Sequence, residues 1–522
     1  MYSNKENVNL LTALLVAHGV RHAVVCPGSR NAPIVHNLNE CPSVVCHPVT
    51  DERSAGFYAL GMAQALGETV VVCVTSGTAL LNLAPAVAEA FYQHVPLVVV
   101  SADRPPQWID QLDGQTLPQS DALGRFVVKA VSLPEPHDGE SRWYCNRLVN
   151  EALLERHAPV HINVHISEPL FEFITPTLPT ERKIERMPAD IQPHTLSHVC
   201  RMFMQAHRPM LVTGQPMNSN LDEAVCMVQN DERYVPDFIL YIGGSIVSKR
   251  VKHFLRKAKE TWVVNETGEV TDTFQNLTRI VVGDGAVVAD QVRFMLEQQP
   301  HPFVRLWDEL LAKVRRHAAD YVPDYSQTAA VKYFEQQLSS LPSFGKGGQG
   351  FCHYANSSAI RLANIFARHH VWCNRGVNGI EGSLSTAAGC SLTTDEQVFC
   401  VIGDLSFFYD QNALWNSELR GNLRILLMNN GCGGIFSMLK GLEQSAARDR
   451  LVAASHHATA EGICRQNDII YLSVHNMGDL HNGIDALLWQ ESSRPVLLEV
   501  FTDAAVDGRV LRDYYRSLSA VR

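Results

Sequence analysis

The chain has 522 residues, of which 46% are hydrophobic and 8% aromatic, a length and composition typical of several globular domains with large buried cores. Its formal net charge of −10 gives no general attraction to nucleic acid or to an anionic membrane surface, so anionic ligands require local Arg or Lys side chains. The first residues lack a basic and then apolar leader, and no run reaches the roughly 18 apolar residues of a membrane span, so we expect a cytoplasmic protein.

Apolar runs that end in Gly or polar turns alternate with helical stretches along the whole chain. The first segment contains HAVVCPGS, TVVVCVTSGT and VPLVVVSADRPP as strands, with a helix predicted across ALLNLAPAVAEAFYQ. The second contains PMLVTGQP, FILYIGG and TWVVNETG, and the third contains HVWCNRG, QVFCVIGD, RILLMNNG and PVLLEVF. Strands followed by helices predict an α/β protein of three doubly wound parallel-sheet domains, at residues 1–180, 181–305 and 306–522.

Two polar residues follow neighbouring predicted strands of the third segment: Asp404 follows QVFCVIG, and Asn430 follows RILLMN. If a helix around DQNALWNSEL joins these strands as a parallel crossover, both residues emerge at the carboxyl edge of the sheet, where ligands bind. A carboxylate, an amide oxygen and a backbone carbonyl are hard oxygen ligands of the kind that hold Mg²⁺ beside a phosphorylated cofactor. The alternative is that Asp404 only caps a helix and Asn430 only forms a turn.

A second carboxylate of interest lies in HPVTDERSAGFYALGMAQALG, which places Glu52 at a strand end before a helix rich in Gly and Ala. Taken alone, Glu52 is explained as a charge in the first turn of a helix. Together with the GD…NN layout, however, it resembles thiamin diphosphate enzymes. In those enzymes GD…NN holds magnesium and diphosphate, and a glutamate hydrogen-bonds the aminopyrimidine ring.

Further strings narrow the resemblance: CPGSRNAPI, TSGTALLNLAPAVAEA, SADRPP, GSIVSKR and NRGVNGIEGSLSTAAG. From about Leu10 to the C-terminus the chain resembles the 2-succinyl-5-enolpyruvyl-6-hydroxy-3-cyclohexene-1-carboxylate synthase family of menaquinone biosynthesis. The resemblance implies thiamin diphosphate and Mg²⁺ or Mn²⁺ as cofactors. It implies a transferase that decarboxylates 2-oxoglutarate and adds the resulting succinyl semialdehyde carbanion to isochorismate in a 1,4-addition.

The resemblance also implies how the domains cooperate. Residues 1–180 would bind the aminopyrimidine, residues 306–522 would bind the diphosphate, and residues 181–305 would form a central domain. The protein would be a homodimer or homotetramer in which the first domain of one chain and the third domain of another build each site. The small residues of SAGFYALGMA, directly after Glu52, would then pack closely at the seam between subunits.

Residue roles follow by matching motifs. Glu52 would contact the aminopyrimidine, Ile380 would support the folded cofactor, and Asp404, Asn430 and the carbonyl of Cys432 would bind the metal. The other cofactor-binding positions are Thr75, Ser76, Gly77, Asn82, Gly403, Leu405, Ser406, Ile435 and Phe436, with Leu439 completing an apolar wall. The positions that match isochorismate recognition are Ser29, Arg30, Arg104, Gln115, Lys249 and Arg250, and those around the oxoglutarate-derived chain are Ser357, Arg361 and Arg375. Cys432 departs from the family, which usually has Gly there.

Three alternative functions are open at this stage. An acetolactate-type synthase that uses pyruvate shares the thiamin motifs, but its pocket needs fewer cations than the Arg-rich strings provide. A catalytically inactive protein on the same fold is a second possibility, against which the intact Glu52, Asp404 and Asn430 argue. A nicotinamide dehydrogenase lacks support because no G-x-G-x-x-G stands between a strand and a helix.

Overall fold

The computed structural model describes residues 1–185, 191–213, 220–344, 350–438 and 441–521. Across these ranges the strands form three sheets, and all neighbouring strands within a sheet run parallel. Helices connect successive strands, so the predicted α/β class with three parallel sheets is confirmed. The domain boundaries stay a prediction, and the one between residues 305 and 306 falls within the helix Pro302–Asp320.

The two central strands of the first sheet, VVVCV and LVVVSAD, are almost entirely apolar and buried, as expected for parallel strands covered on both faces. Its strands are β1 (His22–Val25), β2 (Val45–Pro48), β3 (Val70–Val74), β4 (Leu97–Asp103), β5 (Lys129–Leu133) and β6 (Val160–His165). Its helices are α1 (Glu6–Ala17), α2 (Ala32–Glu40), α3 (Glu52–Leu66), α4 (Thr78–Asn82), α5 (Ala84–Gln93) and α6 (Gly139–Leu153). The strand order is β2-β1-β3-β4-β6-β5. From β1 the chain first adds β2 on one side and then β3 on the other, and the crevice between β1 and β3 is where such sheets bind ligands.

The second sheet is smaller and has the order β10-β9-β8-β7. Its strands are β7 (Pro209–Thr213), β8 (Phe238–Ile242), β9 (Glu260–Asn265) and β10 (Leu277–Val282). The helices around it are α7 (Pro193–Gln205), α8 (Leu221–Val228), α9 (Lys249–Leu255), α10 (Gly285–Gln298) and α11 (Pro302–Asp320).

The third sheet contains β11 (Phe351–Tyr354), β12 (Val398–Gly403), β13 (Leu423–Asn429), β14 (Ile470–Val474) and β15 (Val496–Phe501). Its helices are α12 (Gln327–Leu338), α13 (Ser358–Phe366), α14 (Ser383–Ser391), α15 (Asp404–Tyr409), α16 (Glu461–Gln466), α17 (Met477–Trp489) and α18 (Ala504–Ser517). The order β11-β12-β13-β15-β14 makes β12 and β13 neighbours, with Gly403 opposite Met428. The residues that follow these two strands therefore share one edge.

Helices α3 and α14 cross in direct backbone contact and join the first sheet to the third. A Cβ added to Gly61 would lie 1.9 Å from the carbonyl oxygen of Thr386, and one added to Gly389 would lie 2.2 Å from that of Tyr58. Only glycine fits at either position. The close packing predicted for α3 is present, but its partner is a helix of the same chain and not the expected neighbour across a subunit seam.

One predicted strand is wrong. The segment HVWCNRG forms a single isolated bridge, between Trp372 and His353. Beyond this bridge the chain is held outside the sheet, where the backbone N–H groups of Gly376 and Val377 donate to the side chain of Glu89.

Two predicted helices are interrupted or displaced. The stretch ALLNLAPAVAEAFYQ forms the separate helices α4 and α5, because Pro85 has no N–H and starts a helix more readily than it continues one. The helix expected around DQNALWNSEL begins earlier, at Asp404, and is followed by a 3₁₀ turn at Gln411–Leu414. Asp410 separates the two elements, since its buried carboxylate accepts the backbone N–H and the hydroxyl of Ser385.

No helix among the described residues is both long and apolar enough to cross a membrane.

Candidate active site

Asp404 ties together the ends of two neighbouring strands. It is the first residue of α15, directly after β12, and it is buried. Its Oδ1 accepts the backbone N–H of Leu405 at 2.7 Å, and its Oδ2 accepts those of Asn430 at 3.1 Å and Gly431 at 2.8 Å, directly after β13. Burial raises the pKa of the Asp404 carboxyl, while the nearby His456 and these N–H groups act in the opposite direction. The predicted juxtaposition of Asp404 and Asn430 at one sheet edge is confirmed by these contacts.

A hydrogen bond from its amide nitrogen fixes the side chain of Asn430. Its Nδ2 donates to Oδ2 of Asp507 at 3.0 Å, and its Oδ1 lies 3.8 Å from Sγ of Cys432. Gly431, between them, has φ of +72°, a left-handed conformation that favours glycine and lets the chain turn immediately. Burial raises the pKa of the Cys432 thiol, and the Asp404 carboxylate raises it further.

These groups fit a divalent cation, because the turn offers a carboxylate, an amide oxygen and backbone carbonyls close together. A Cβ on Gly403 would meet no atom within 4 Å, so a ligand has room beside Asp404. His456, which sequence reasoning missed, has Nε2 3.4 Å from Oδ2 of Asp404 while its Nδ1 accepts the N–H of Ala458. Because its Nδ1 accepts, a neutral His456 ring carries its proton on Nε2, which is not available as a metal ligand in that form and makes no hydrogen bond within the described residues.

Glu52 lies at the corresponding edge of the first sheet. It opens α3 after β2, and Asp51 caps the helix by accepting the N–H of Ser54 at 3.1 Å. Oε2 of Glu52 accepts Nδ2 of Asn82 at 3.2 Å, which joins two predicted cofactor-binding residues from different loops.

The loop after β3 brings the next predicted residues to the same edge. Thr75 and Ser76 are buried, and Gly77 has φ of +87°. The N–H of Gly77 donates to Oε1 of Gln119 at 2.7 Å. Gln119 is buried and was not predicted, because a single Gln in a polar loop carries no sequence signal of such a contact. The loop backbone is therefore fixed by a side chain from beyond β4.

Arg30 and Arg104 line one cavity of about 530 Å³. The guanidinium of Arg30 donates to the carbonyl of Ile166 at 2.9 Å and to Glu168 at 2.8 Å, and Arg104 pairs with Asp113 at 3.0 Å. The cavity thus has two cations, each already balanced by a carboxylate at its rim. Both lie at the edge to which β4 and β6 lead.

Two further predicted residues lie near this edge. Ser29 and Gln115 are exposed. Gln115 has a positive φ of +56°, and its Cα lies 3.4 Å from the position of a Cβ on Gly77. Gln115 therefore approaches the loop after β3 closely.

Lys249 and Arg250 begin α9, at the edge of the second sheet. Lys249 is exposed, whereas Arg250 pairs with Asp222 at 3.2 Å and lies over the ring of Tyr515 at 5.2 Å. Burial lowers the pKa of Lys252, one turn further on, and the neighbouring cations, Arg375 foremost, lower it further. Positive charge therefore concentrates where α9 faces the third sheet.

Ser357, Arg361 and Arg375 surround the start of α13. Ser357 has φ of +74°, which is strained for a residue with a Cβ and is a feature of functional sites. Arg375 donates to Oδ1 of Asn356 at 2.9 Å; burial lowers its pKa, and the Arg361 cation lowers it further. Arg361 lines a small cavity of about 30 Å³ together with Asn430, so this predicted substrate cation lies beside the predicted metal site.

The predicted apolar residues differ in their exposure. Ile380 is 41% exposed, a high value for a large apolar side chain that leaves it available to a ligand. Ile435 and Phe436 are half-buried in the turn Gly434–Met438. Ser406 is buried in α15, and Leu439 lies outside the described residues.

Glu52 and the predicted metal ligands are positioned by different sheets of the chain. Among the described residues, no hydrogen bond or ion pair links Glu52 to Asp404, Asn430 or Cys432; Glu52 bonds Asn82 of its own sheet. The neighbouring Asp51 instead bonds Asn412, beyond the end of α15. The predicted roles of all these residues stay predictions.

Comparison with known families identifies both outer segments. Residues 6–123 match the family described as thiamine pyrophosphate enzyme, N-terminal TPP binding domain, and residues 355–500 match the corresponding C-terminal TPP binding domain. The first match contains Glu52 and the second contains Asp404 and Asn430.

Relatives match over the full length. The chain is 42% identical to the 2-succinyl-5-enolpyruvyl-6-hydroxy-3-cyclohexene-1-carboxylate synthase of Bacteroides fragilis, covering 99% of this chain and 100% of that protein. It is 40% identical to the synthase of the same name from Bacteroides thetaiotaomicron, with the same coverage. It is 33% identical to that of Porphyromonas gingivalis, covering 99% of this chain and 98% of that protein.

Proposed function

Because this chain belongs to the 2-succinyl-5-enolpyruvyl-6-hydroxy-3-cyclohexene-1-carboxylate synthase family of thiamine pyrophosphate enzymes, we propose that it decarboxylates 2-oxoglutarate and adds the remaining four-carbon unit to isochorismate. The reaction is a step of menaquinone biosynthesis, in the cytoplasm. Asp404, Asn430 and the carbonyl of Cys432 would hold Mg²⁺ or Mn²⁺ beside the cofactor.

One observation carries the proposal: the carboxylate of Asp404 accepts the backbone N–H groups of Asn430 and Gly431. This contact supports a single metal site formed by the ends of β12 and β13. Oxygen ligands on a short, rigid turn suit Mg²⁺, which keeps part of its coordination for water and phosphate oxygens.

Thiamin diphosphate, when bound, supplies the electron sink for loss of CO₂ and for formation of the new carbon–carbon bond. The chain's own residues bind and polarise it. Glu52 holds a proton at N1′ of the aminopyrimidine ring, and Asn82 orients the Glu52 carboxylate through its hydrogen bond. Ile380 presents its exposed apolar side chain to the cofactor, and the half-buried Ile435 and Phe436 supply further apolar contact.

Two sets of basic residues bind the two substrates, one set for each. Arg30 and Arg104, in their cavity of about 530 Å³, bind carboxylates of isochorismate, assisted by Ser29, Gln115, Lys249 and Arg250. Arg361 and Arg375, with Ser357, bind the carboxylates of 2-oxoglutarate beside the metal. A donor without the second carboxylate leaves a cation unpaired in a closing site, which disfavours pyruvate.

A complete site requires two subunits. Within the described part of one chain, no hydrogen bond or ion pair joins Glu52 to Asp404, which supports this arrangement. Glu52 of one subunit and Asp404 of another therefore serve the same cofactor in a homodimer or homotetramer.

Ultraviolet absorbance tests the proposal by following the loss of isochorismate. We expect loss only when 2-oxoglutarate, thiamin diphosphate and Mg²⁺ are all present, and not when pyruvate replaces 2-oxoglutarate. Loss at the same rate without thiamin diphosphate would overturn the proposed reaction. Equal rates with pyruvate would instead assign an acetolactate-type donor.

A further inference from the structure

Asp507, in the first turns of α18, accepts hydrogen bonds from three different elements. Its Oδ1 accepts the backbone N–H of Gln327 at the start of α12 at 2.8 Å. Its Oδ2 accepts Nδ2 of Asn430 at 3.0 Å and the hydroxyl of Thr502 at 2.8 Å. A carboxylate held from three sides has little freedom to rotate, so its position is fixed before any ligand binds.

The contact with Asn430 decides which end of that amide faces the metal. An amide side chain has an oxygen that accepts and an NH₂ that only donates, and a rotation by half a turn exchanges them. An ionised carboxylate only accepts, so Asp507 selects the NH₂ end. The oxygen is left on the side of Cys432, whose thiol lies 3.8 Å away and whose carbonyl is a proposed metal ligand.

We propose that Asp507 is a positioning residue of the divalent-metal site, which holds the Asn430 amide so that its oxygen, and not its nitrogen, faces the cation. The inference rests on the proposed role of Asn430 as a metal ligand. Residues that orient metal ligands through hydrogen bonds commonly change metal affinity by 10-fold to 100-fold when replaced.

Asp507 could also affect the metal through its charge or through general stability, and a double-mutant cycle separates these effects. Binding of Mn²⁺ in the presence of thiamin diphosphate is measured by the loss of the free-ion electron paramagnetic resonance signal, which requires no activity. The proteins are wild type, Asn430→Ala, Asp507→Asn and the double variant, with Thr502→Val as a control. Thr502→Val removes a neighbouring donor but leaves the acceptor for Asn430 in place.

We expect Asn430→Ala and Asp507→Asn each to weaken Mn²⁺ binding by about 10-fold to 100-fold. The double variant should bind Mn²⁺ within about 2-fold of the weaker single variant, because two residues that act through the same contact have non-additive effects. Thr502→Val should bind within about 3-fold of wild type, because the contact between Asp507 and Asn430 is kept. An Asp507→Asn effect of the same size in the Asn430→Ala background would overturn the inference, because Asp507 would then act through its charge or the fold.

A swapped pair provides a second test that does not need the single Asp507→Asn variant to fold. In Asn430→Asp combined with Asp507→Asn, a carboxylate at position 430 presents oxygen in either orientation, while the new amide donates to it. We expect Mn²⁺ affinity within about 10-fold of wild type, by the same scale. A swapped pair that folds but binds as weakly as Asn430→Ala would overturn the inference.

The two levels of the account fail in different ways. If Asn430→Ala leaves Mn²⁺ affinity unchanged, Asn430 is not a ligand, and the proposed metal site fails together with the inference. If Asn430→Ala weakens binding and Asp507→Asn does not, the metal site stands and only the role of Asp507 is overturned.

Discussion

The carboxylate of Glu89 accepts the backbone N–H of Gly376 at 2.6 Å, although 287 positions separate the two residues in the chain. The other oxygen of Glu89 accepts the N–H of Val377 at 2.7 Å. Glu89 is buried in α5 of the first segment, and the loop it holds lies between Arg375 and Ile380. One half of the chain thus fixes a loop of the other half that we assign to the substrate and the cofactor.

Replacing Glu89 by Ala should destabilise the protein by about 3 kcal/mol, because two backbone N–H groups lose a buried, charged acceptor. Glu89→Gln keeps one acceptor oxygen and should lose about half as much. The midpoint of thermal unfolding measures both. A midpoint for Glu89→Ala equal to that of wild type would show that the loop is held by other contacts.

Arg361→Ala should raise KM for 2-oxoglutarate. It should also reduce kcat/KM by a factor that corresponds to a loss of about 2–4 kcal/mol in transition-state stabilisation, on the scale of a charged hydrogen bond. The KM for isochorismate should change far less. Arg104→Ala is the matched control and should show the reverse pattern, since Arg104 lines the separate cavity of the first sheet. Steady-state kinetics of both variants, with each substrate varied in turn, shows which substrate each arginine binds. A loss confined to isochorismate in Arg361→Ala would move this residue to the acceptor side of the site.

The buried His161 should make the free energy of unfolding decrease in acid. Burial lowers its pKa to about 4 from an ordinary value of 6.5, and its Nε2 lies 2.7 Å from the hydroxyl of Ser101. The unfolded chain takes up a proton below pH 6.5 that the folded chain refuses until about pH 4. The stabilising contribution is therefore complete above pH 6.5 and declines by about 3 kcal/mol as the pH falls to 4.

His161→Gln is the control for this effect, because Gln is neutral throughout the range. Urea unfolding at several pH values should show the difference in stability between wild type and variant changing by about 3 kcal/mol between pH 7 and pH 4. A difference that stays constant over that range would exclude His161 as the source of acid sensitivity.

A mixture of Glu52→Gln and Asp404→Ala subunits should regain activity that neither variant has alone. If each site combines Glu52 of one subunit with Asp404 of another, one site of the mixed dimer is wild type. Activity is measured after exchange of subunits, with the exchange itself followed by fluorescence energy transfer between labelled chains. Exchange without any recovery would place Glu52 and Asp404 of the same chain in one site.

The sequence predicts Asp404 and Asn430 at one edge because parallel strands joined by a crossover end on the same side of a sheet. That argument depends only on local patterns of apolar and polar residues. It also predicts close packing after Glu52, because small residues at helical spacing allow backbone contact. Which helix packs there is not a local property, and the structure gives α14 of the same chain.

The supporting residues could not be predicted in the same way. Asp507 lies in the first turn of α18, the helix that follows β15, so its place near the carboxyl edge of the sheet is a usable signal, but its contact with Asn430 depends on how α18 packs. Gln119 and Glu89 act through single side chains across long stretches of sequence. A buried Glu in an amphipathic helix and a Gln in a polar loop carry no local mark of those contacts.

The fate of labelled carbon distinguishes the proposed reaction from simple decarboxylation of 2-oxoglutarate. Purified protein with thiamin diphosphate, Mg²⁺ and isochorismate is supplied with 2-oxoglutarate labelled uniformly with ¹³C, and the products are analysed by mass spectrometry. The account predicts one labelled CO₂ for each molecule of a product that contains the isochorismate skeleton and four labelled carbons. Labelled CO₂ accompanied only by free succinyl semialdehyde, with isochorismate recovered intact, would contradict it.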